Sequence, residues 1–126
     1  DKEKICSIVT KQKPDIFFHA AAYKHVSLME AQPDQAIINN IQGTWNVVEA
    51  AHACKAQKFI FISTDKAVHP TSVMGKTKKV AETLVMYYNK KNSTSTLPHP
   101  IVLKSLRKNG TTNRLISGHH RPLKSI

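Results

Sequence analysis

Glycine is scarce. The chain has four (Gly43, Gly75, Gly110 and Gly118), and none stand close enough to build a G-x-x-G-x-x-G turn behind a strand. A phosphate-cradling glycine loop is therefore excluded from this stretch. Cysteine is rarer still: Cys6 and Cys54 form no C-x-x-C pair and fall in predicted helices, so they read as buried thiols of a reduced, cytosolic chain. No apolar run approaches the ~18 residues of a membrane span, and no basic start leads into an apolar signal segment.

Acidic residues are missing from one end only. Residues 1 to 88 hold eleven Lys plus Arg against eight Asp plus Glu, whereas residues 89 to 126 hold eight against none. The net charge of +11 thus divides into +3 for the body and +8 for the tail. The tail carries no aromatic ring other than histidine, so a nucleic-acid platform of interleaved cations and rings is not expected. His119-His120 has no third ligand at metal spacing, and no metal site is expected.

The hydrophobic pattern is that of an α/β chain. Ile5, Ile8 and Val9 mark one face of a short helix stopped at Lys13-Pro14-Asp15. Ile16-Phe17-Phe18 reads as a buried strand running into His19-Ala20-Ala21-Ala22. Pro33 suits the first turn of the next helix, whose expected apolar stripe is Ile37, Ile41, Trp45 and Val48. Gly43 inside it costs ~1 kcal/mol relative to alanine and suggests close packing against a sheet. Phe59-Ile60-Phe61-Ile62 is a second strand, buried on both faces. A helix follows Pro70, with an inner stripe of Met74, Thr77, Ala81, Leu84 and Tyr88. Helix, strand, loop, helix, strand, helix is a parallel β-α-β unit plus a helix. The expected architecture is an incomplete Rossmann-like, doubly wound parallel sheet without its first strands and glycine loop. Residues 1–92 form this domain and 93–126 a basic tail, in which Ile101-Val102-Leu103 is a candidate edge strand and the rest coil. The tail's abrupt loss of acidic residues suggests a frameshifted or truncated end.

Polarity flips where the second strand ends. Ser63, Thr64, Asp65 and Lys66 put two hydroxyls, a carboxylate and an amine at its C-terminal tip, where open α/β sheets place ligands. Met74 and Lys78, four apart, share a face of the next helix's first turns.

Ser63-Thr-Asp-Lys-Ala-Val-His-Pro-Thr-Ser-Val-Met-Gly-Lys-Thr-Lys78 resembles the extended short-chain dehydrogenase/reductase superfamily, and within it the CapD-type polysaccharide-biosynthesis proteins, which are nucleotide-sugar 4,6-dehydratases. Tyr23-Lys-His-Val-Ser-Leu-Met-Glu30 and Asn40-Ile-Gln-Gly-Thr-Trp-Asn46 are similar to two further segments of that family. The resemblance stops near Asn92.

It implies a cofactor, NADP or NAD, and a nucleotide-sugar substrate resembling UDP-N-acetylglucosamine. The implied catalytic residues are Thr64 holding the C4 oxygen, Asp65 as acid and Lys66 as base of the elimination, and Lys78 on the nicotinamide ribose. Ser63 is a substitute for Thr64. Lysine serves as a base only where desolvation suppresses its charge. Met74 occupies the place of the superfamily's catalytic tyrosine; a thioether has no ionisable proton, so it stands either in the site or as core filler. Ala20, Ala21 and Ala22 lie beside the cofactor or are merely tight packing; Asn40 and Ser63 join them as cofactor-side residues, Asn40 being otherwise a bent helix turn. Lys24 and His25 line the sugar-nucleotide pocket or are solvated loop residues. The resemblance further implies a homo-oligomeric cytoplasmic parent enzyme, with any membrane anchor in a missing N-terminal region. An isolated chain without the glycine loop is expected to be inactive; the alternative is a catalytically inactive remnant or binding module of the same fold.

Overall fold

The computed structural model describes residues 1–91, 99–105 and 115–117. Helix α1 (Lys2–Gln12) is capped by Asp1, whose carboxylate accepts the Lys4 N–H at 3.0 Å, and ends on left-handed Lys13. Strand β1 (Ile16–His19) follows, then short helices α2 (Val26–Ala31) and α3 (Pro33–Ala36), a π-helical stretch Ile37–Gln42 and helix α4 (Gly43–Ala53). Strand β2 (Lys58–Thr64) ends in a single 3₁₀ turn, Asp65–Ala67, and helix α5 spans Val73–Lys91.

β1 and β2 pair in parallel, with Phe17 opposite Phe59 and His19 opposite Phe61. β3 (His99–Ser105) extends the sheet parallel to β2, and β4 (Leu115–Ser117) closes the order β1-β2-β3-β4 antiparallel to β3. The sheet thus continues past residue 92. The apolar run at 101–103 is an interior strand rather than an edge, and a strand lies where coil was expected. The proposed frameshift and the His119-His120 pair lie outside the described residues.

The core sits on one face of the sheet. Phe59 (2 % exposed) and Phe61 (0 %) point into a cluster with Val48 and Ala51 of α4 and Ala81 and Val85 of α5. Burying each phenylalanine ring contributes roughly 1.5–3 kcal/mol. The opposite face is different. Ile16 is 45 % and Phe18 70 % exposed, so β1 is not the fully buried strand its composition suggests. The reason is topological: α4 and α5 cover only the Phe59–Phe61 face.

Two apolar stripes also differ from their periodicity. Through the π-helical turn the inward residues are Ala36, Asn40, Thr44 and Val48, while Ile37 is 48 % exposed. On α5 the buried set is Met74, Gly75, Thr77, Lys78, Ala81, Glu82 and Val85, with Leu84 and Tyr88 half-buried. Ile8 is exposed, and both thiols are free and half-buried. No helix among the described residues is long and apolar enough to cross a membrane.

Candidate active site

The tip of β2 is a compact polar turn. The Thr64 hydroxyl donates to Asp65 Oδ1 at 2.9 Å, and the Lys66 N–H donates to that same oxygen at 2.9 Å and to Thr64 Oγ1 at 3.3 Å. Buried Ala67 anchors the turn. Gly75 explains how α5 comes so near: a Cβ there would lie 2.6 Å from the Lys66 carbonyl oxygen. Any side chain would push the first turn of α5 off the strand tip.

Beneath the tip lies a buried polar layer. Lys78 is 5 % exposed; its ammonium donates to the Ile62 carbonyl at 2.9 Å and sits 4.2 Å from the centre of the Phe61 ring. Burial lowers its pKa to about 8, with Glu82 pulling the other way. The anchor carbonyl stands two residues before Thr64, so the lysine is held at the strand end.

His19, which its sequence context does not mark, belongs to this layer. It is 7 % exposed, its ring centre 5.7 Å from that of Phe61. Its Nε2 is 2.9 Å from Thr44 Oγ1, and the Thr44 hydroxyl donates to the Asn40 carbonyl at 2.7 Å. With that proton committed, His19 Nε2–H is the donor, which fixes the tautomer. Burial, and then the charge of Lys78, lowers the His19 pKa to about 4. A lone histidine after an apolar run gives no sequence signal of this.

Asn40 ties the layer together. It is fully buried; Oδ1 accepts the Tyr23 N–H at 2.7 Å, and Nδ2 donates to the Tyr23 carbonyl at 3.1 Å and to Thr77 Oγ1 at 3.0 Å. Both its amide protons are committed, so in this fold its side chain clamps the loop after β1 to α5.

The remaining expected site residues lie around the tip and the first turns of α5. Ser63 is 4 % exposed and donates to Glu82 Oε1, on the strand face opposite Thr64, so its hydroxyl is turned away from the tip. Met74 is 3 % exposed among Met29, Ala36, Val26 and Val73, which is the packing role and not a proton-transfer one. Lys66 is exposed, so the described residues do not supply the desolvation that a basic amine needs. Ala20 and Ala21 are exposed and Ala22 is half-buried.

Lys24 and His25 are exposed and line an open cleft of about 590 Å³ together with Leu28 and Met29 of α2. Among the described residues no group of three or more His, Cys, Asp or Glu side chains is placed to hold a metal ion.

The sequence profile of a family described as polysaccharide biosynthesis protein matches residues 1–103. The capsular polysaccharide biosynthesis protein CapD of Staphylococcus aureus is 50 % identical over 93 residues, 74 % of this chain and 16 % of that protein. The UDP-N-acetylglucosamine 4,6-dehydratase (inverting) of Campylobacter jejuni strain 81-176 is 38 % identical over 89 residues, 71 % of this chain and 26 % of the enzyme. The chain therefore spans between about a sixth and a quarter of these relatives. Among solved structures, Pen from Bacillus thuringiensis is 36 % identical with a TM-score of 0.70, covering 77 % of this chain and 29 % of Pen. The Brucella ovis UDP-glucose 4-epimerase in complex with NAD, 21 % identical with a TM-score of 0.75, shares the fold over 82 % of this chain and 35 % of its own.

Proposed function

The chain belongs to the CapD-type polysaccharide biosynthesis protein family, and we propose from this that it is the central catalytic segment of a nucleotide-sugar 4,6-dehydratase. The observation that carries the reading is the strand tip, where a hydroxyl, a carboxylate and an amine share one turn and a buried ammonium is fixed two residues behind them.

The residues fit a dinucleotide at β1 and α5. Ala20 and Ala21 present exposed one-carbon side chains where a ligand must approach backbone, and Lys78 offers a fixed cation for a ribose hydroxyl. NADP or NAD, when bound, supplies the hydride acceptor and donor for the reaction. Thr64 holds the sugar C4 oxygen. With C4 at the ketone level the C5 proton is acidic, and Lys66 takes it. The electron pair left at C5 forms the C5–C6 double bond, and the C6 hydroxyl departs as water with the proton of Asp65. A sugar seated on the tip excludes water from Lys66 and provides the missing desolvation. Lys24 and His25 face the diphosphate and sugar hydroxyls from the cleft.

A cytoplasmic, homo-oligomeric whole enzyme belongs to the same reading, supported by free thiols and by Ile37, Ile38 and Val80 standing exposed on the covering helices. The test is a titration of the ¹⁵N-labelled chain with UDP-N-acetylglucosamine. Saturable shifts of the Lys24, His25 and Thr64–Lys66 amides at millimolar ligand are expected. Their absence would leave a fold relative with no sugar-nucleotide site of its own.

A further inference from the structure

The cleft wall and the helix bearing Lys78 meet at one carboxylate. The first N–H groups of any helix have no partner within it. In α5, the Gly75 N–H finds Ser72 Oγ at 3.1 Å, but the Val73 N–H donates across the fold to Glu30 Oε1 at 2.7 Å. Glu30 lies 43 residues earlier, on α2. A negative carboxylate on a helix N-terminal N–H is a charge-assisted bond reinforced by the helix dipole.

Two other contacts join the same parts. Met29, next to Glu30, lines the cleft and also packs on Met74. Tyr23, next to Lys24, is clamped by Asn40, whose amide reaches Thr77. The segment carrying Lys24 and His25 is therefore fastened to α5 at Val73 and Met74, about one turn ahead of Lys78, and at Thr77 beside it. The Asn40–Thr77 and Met29–Met74 contacts are buried, whereas Glu30 is exposed and reaches its partner from outside.

We propose that Glu30 is a positioning residue for the sugar-nucleotide site: by accepting the Val73 N–H it sets the α2 wall of the cleft at a fixed place against the first turn of α5. This rests on the dehydratase reading, since it concerns how the cleft that takes the sugar nucleotide is aligned with Lys78 and the strand tip. Glu30 touches neither substrate nor cofactor in this role; it acts through the wall that Lys24 and His25 share.

The test uses the full ¹⁵N-labelled chain, its Glu30→Ala and Glu30→Gln variants, and UDP-N-acetylglucosamine as the probe. The Val73 amide is expected to move strongly in Glu30→Ala and to stay close to its wild-type position in Glu30→Gln, which keeps an acceptor oxygen. Affinity for the probe is expected to fall roughly tenfold in Glu30→Ala, within the ordinary range of coupling between linked elements, and to be largely restored in Glu30→Gln. A Val73 amide indifferent to Glu30→Ala overturns the proposal. So does a shifted Val73 amide with wild-type affinity, which would make the contact structural only. If the wild-type chain does not bind the probe, the dehydratase reading fails and carries this one with it; the Val73 resonance tells that case apart, because it needs no ligand.

Discussion

Asn40 grips Tyr23 by both backbone groups, accepting its N–H at 2.7 Å and donating to its carbonyl at 3.1 Å. The second amide proton goes to Thr77, so one side chain links the loop after β1 to α5. Replacing Asn40 by alanine leaves several buried polar groups unpaired, and a loss of roughly 2–4 kcal/mol is expected. Urea unfolding measures it as a lower midpoint at unchanged slope. Asn40→Asp keeps the acceptor but loses both donors, and should fall in between. A midpoint unmoved by either substitution would refute the clamp.

His19 is expected to contribute to the loss of stability in acid. Its pKa is lowered to about 4 in the fold against 6.5 when unfolded, so between those values the unfolded chain binds the extra proton. Stability is therefore complete above pH 6.5 and declines as pH falls towards 4, by about 3 kcal/mol in all. Glutamine at this position keeps a donor for Thr44 without a titrating ring. Glu and Asp residues also contribute acid slopes, so the readout is the difference in pH slope between variant and wild type, which should be confined to that window.

Lys78 acts at the other end of the scale. With its pKa lowered to about 8 from 10.5, the folded state gives up the proton first. Stability linked to this group rises as pH climbs from 8 to 10.5 and is least below 8. Lys78→Met keeps the chain over Phe61 and removes the charge. It should flatten the alkaline rise, and an identical rise in the variant would show that another group is responsible.

Gly75→Ala pits two known effects against each other. Alanine in a helix gains up to ~1 kcal/mol over glycine, but here its Cβ meets a backbone oxygen at 2.6 Å. Overpacking of this kind costs typically 1–3 kcal/mol, so net destabilisation of about 1 kcal/mol is expected. The Asp65, Lys66 and Ala67 amides should move with it. A stabilised variant would mean that the turn can retreat freely.

Met74 separates packing from chemistry. Leucine should be tolerated within ~1.5 kcal/mol and alanine should cost 2–5 kcal/mol, as at any filled core position. Sugar-nucleotide binding by Met74→Leu should match wild type; a large loss at preserved stability would restore a direct role.

β2 and α5 were legible because a short apolar run, a cluster of four polar residues and Pro70 mark strand, tip and helix start unambiguously. The stripe of the preceding helix was not, because periodicity arguments assume 3.6 residues per turn and Ile37–Gln42 is wound as a π-helix. That is why Asn40 and Thr44 face inward where isoleucines were expected. Phe18 shows a second limit: apolar character says that a residue would gain from burial, not that a covering element is present. His19 and Glu30 escaped altogether, since each acts through a partner at least 25 positions away that no local pattern announces.

The wide turn at Ile37–Gln42 works as a phase shifter. Each residue advances an α-helix by ~100° and a π-wound stretch by less, so tightening all six residues to an α-helix without losing one would swing everything downstream about its axis. Thr44 would leave His19 and Val48 would leave the Phe59–Phe61 surface together. The wider winding thus keeps two otherwise incompatible facings, one polar and one greasy, aimed at the same sheet.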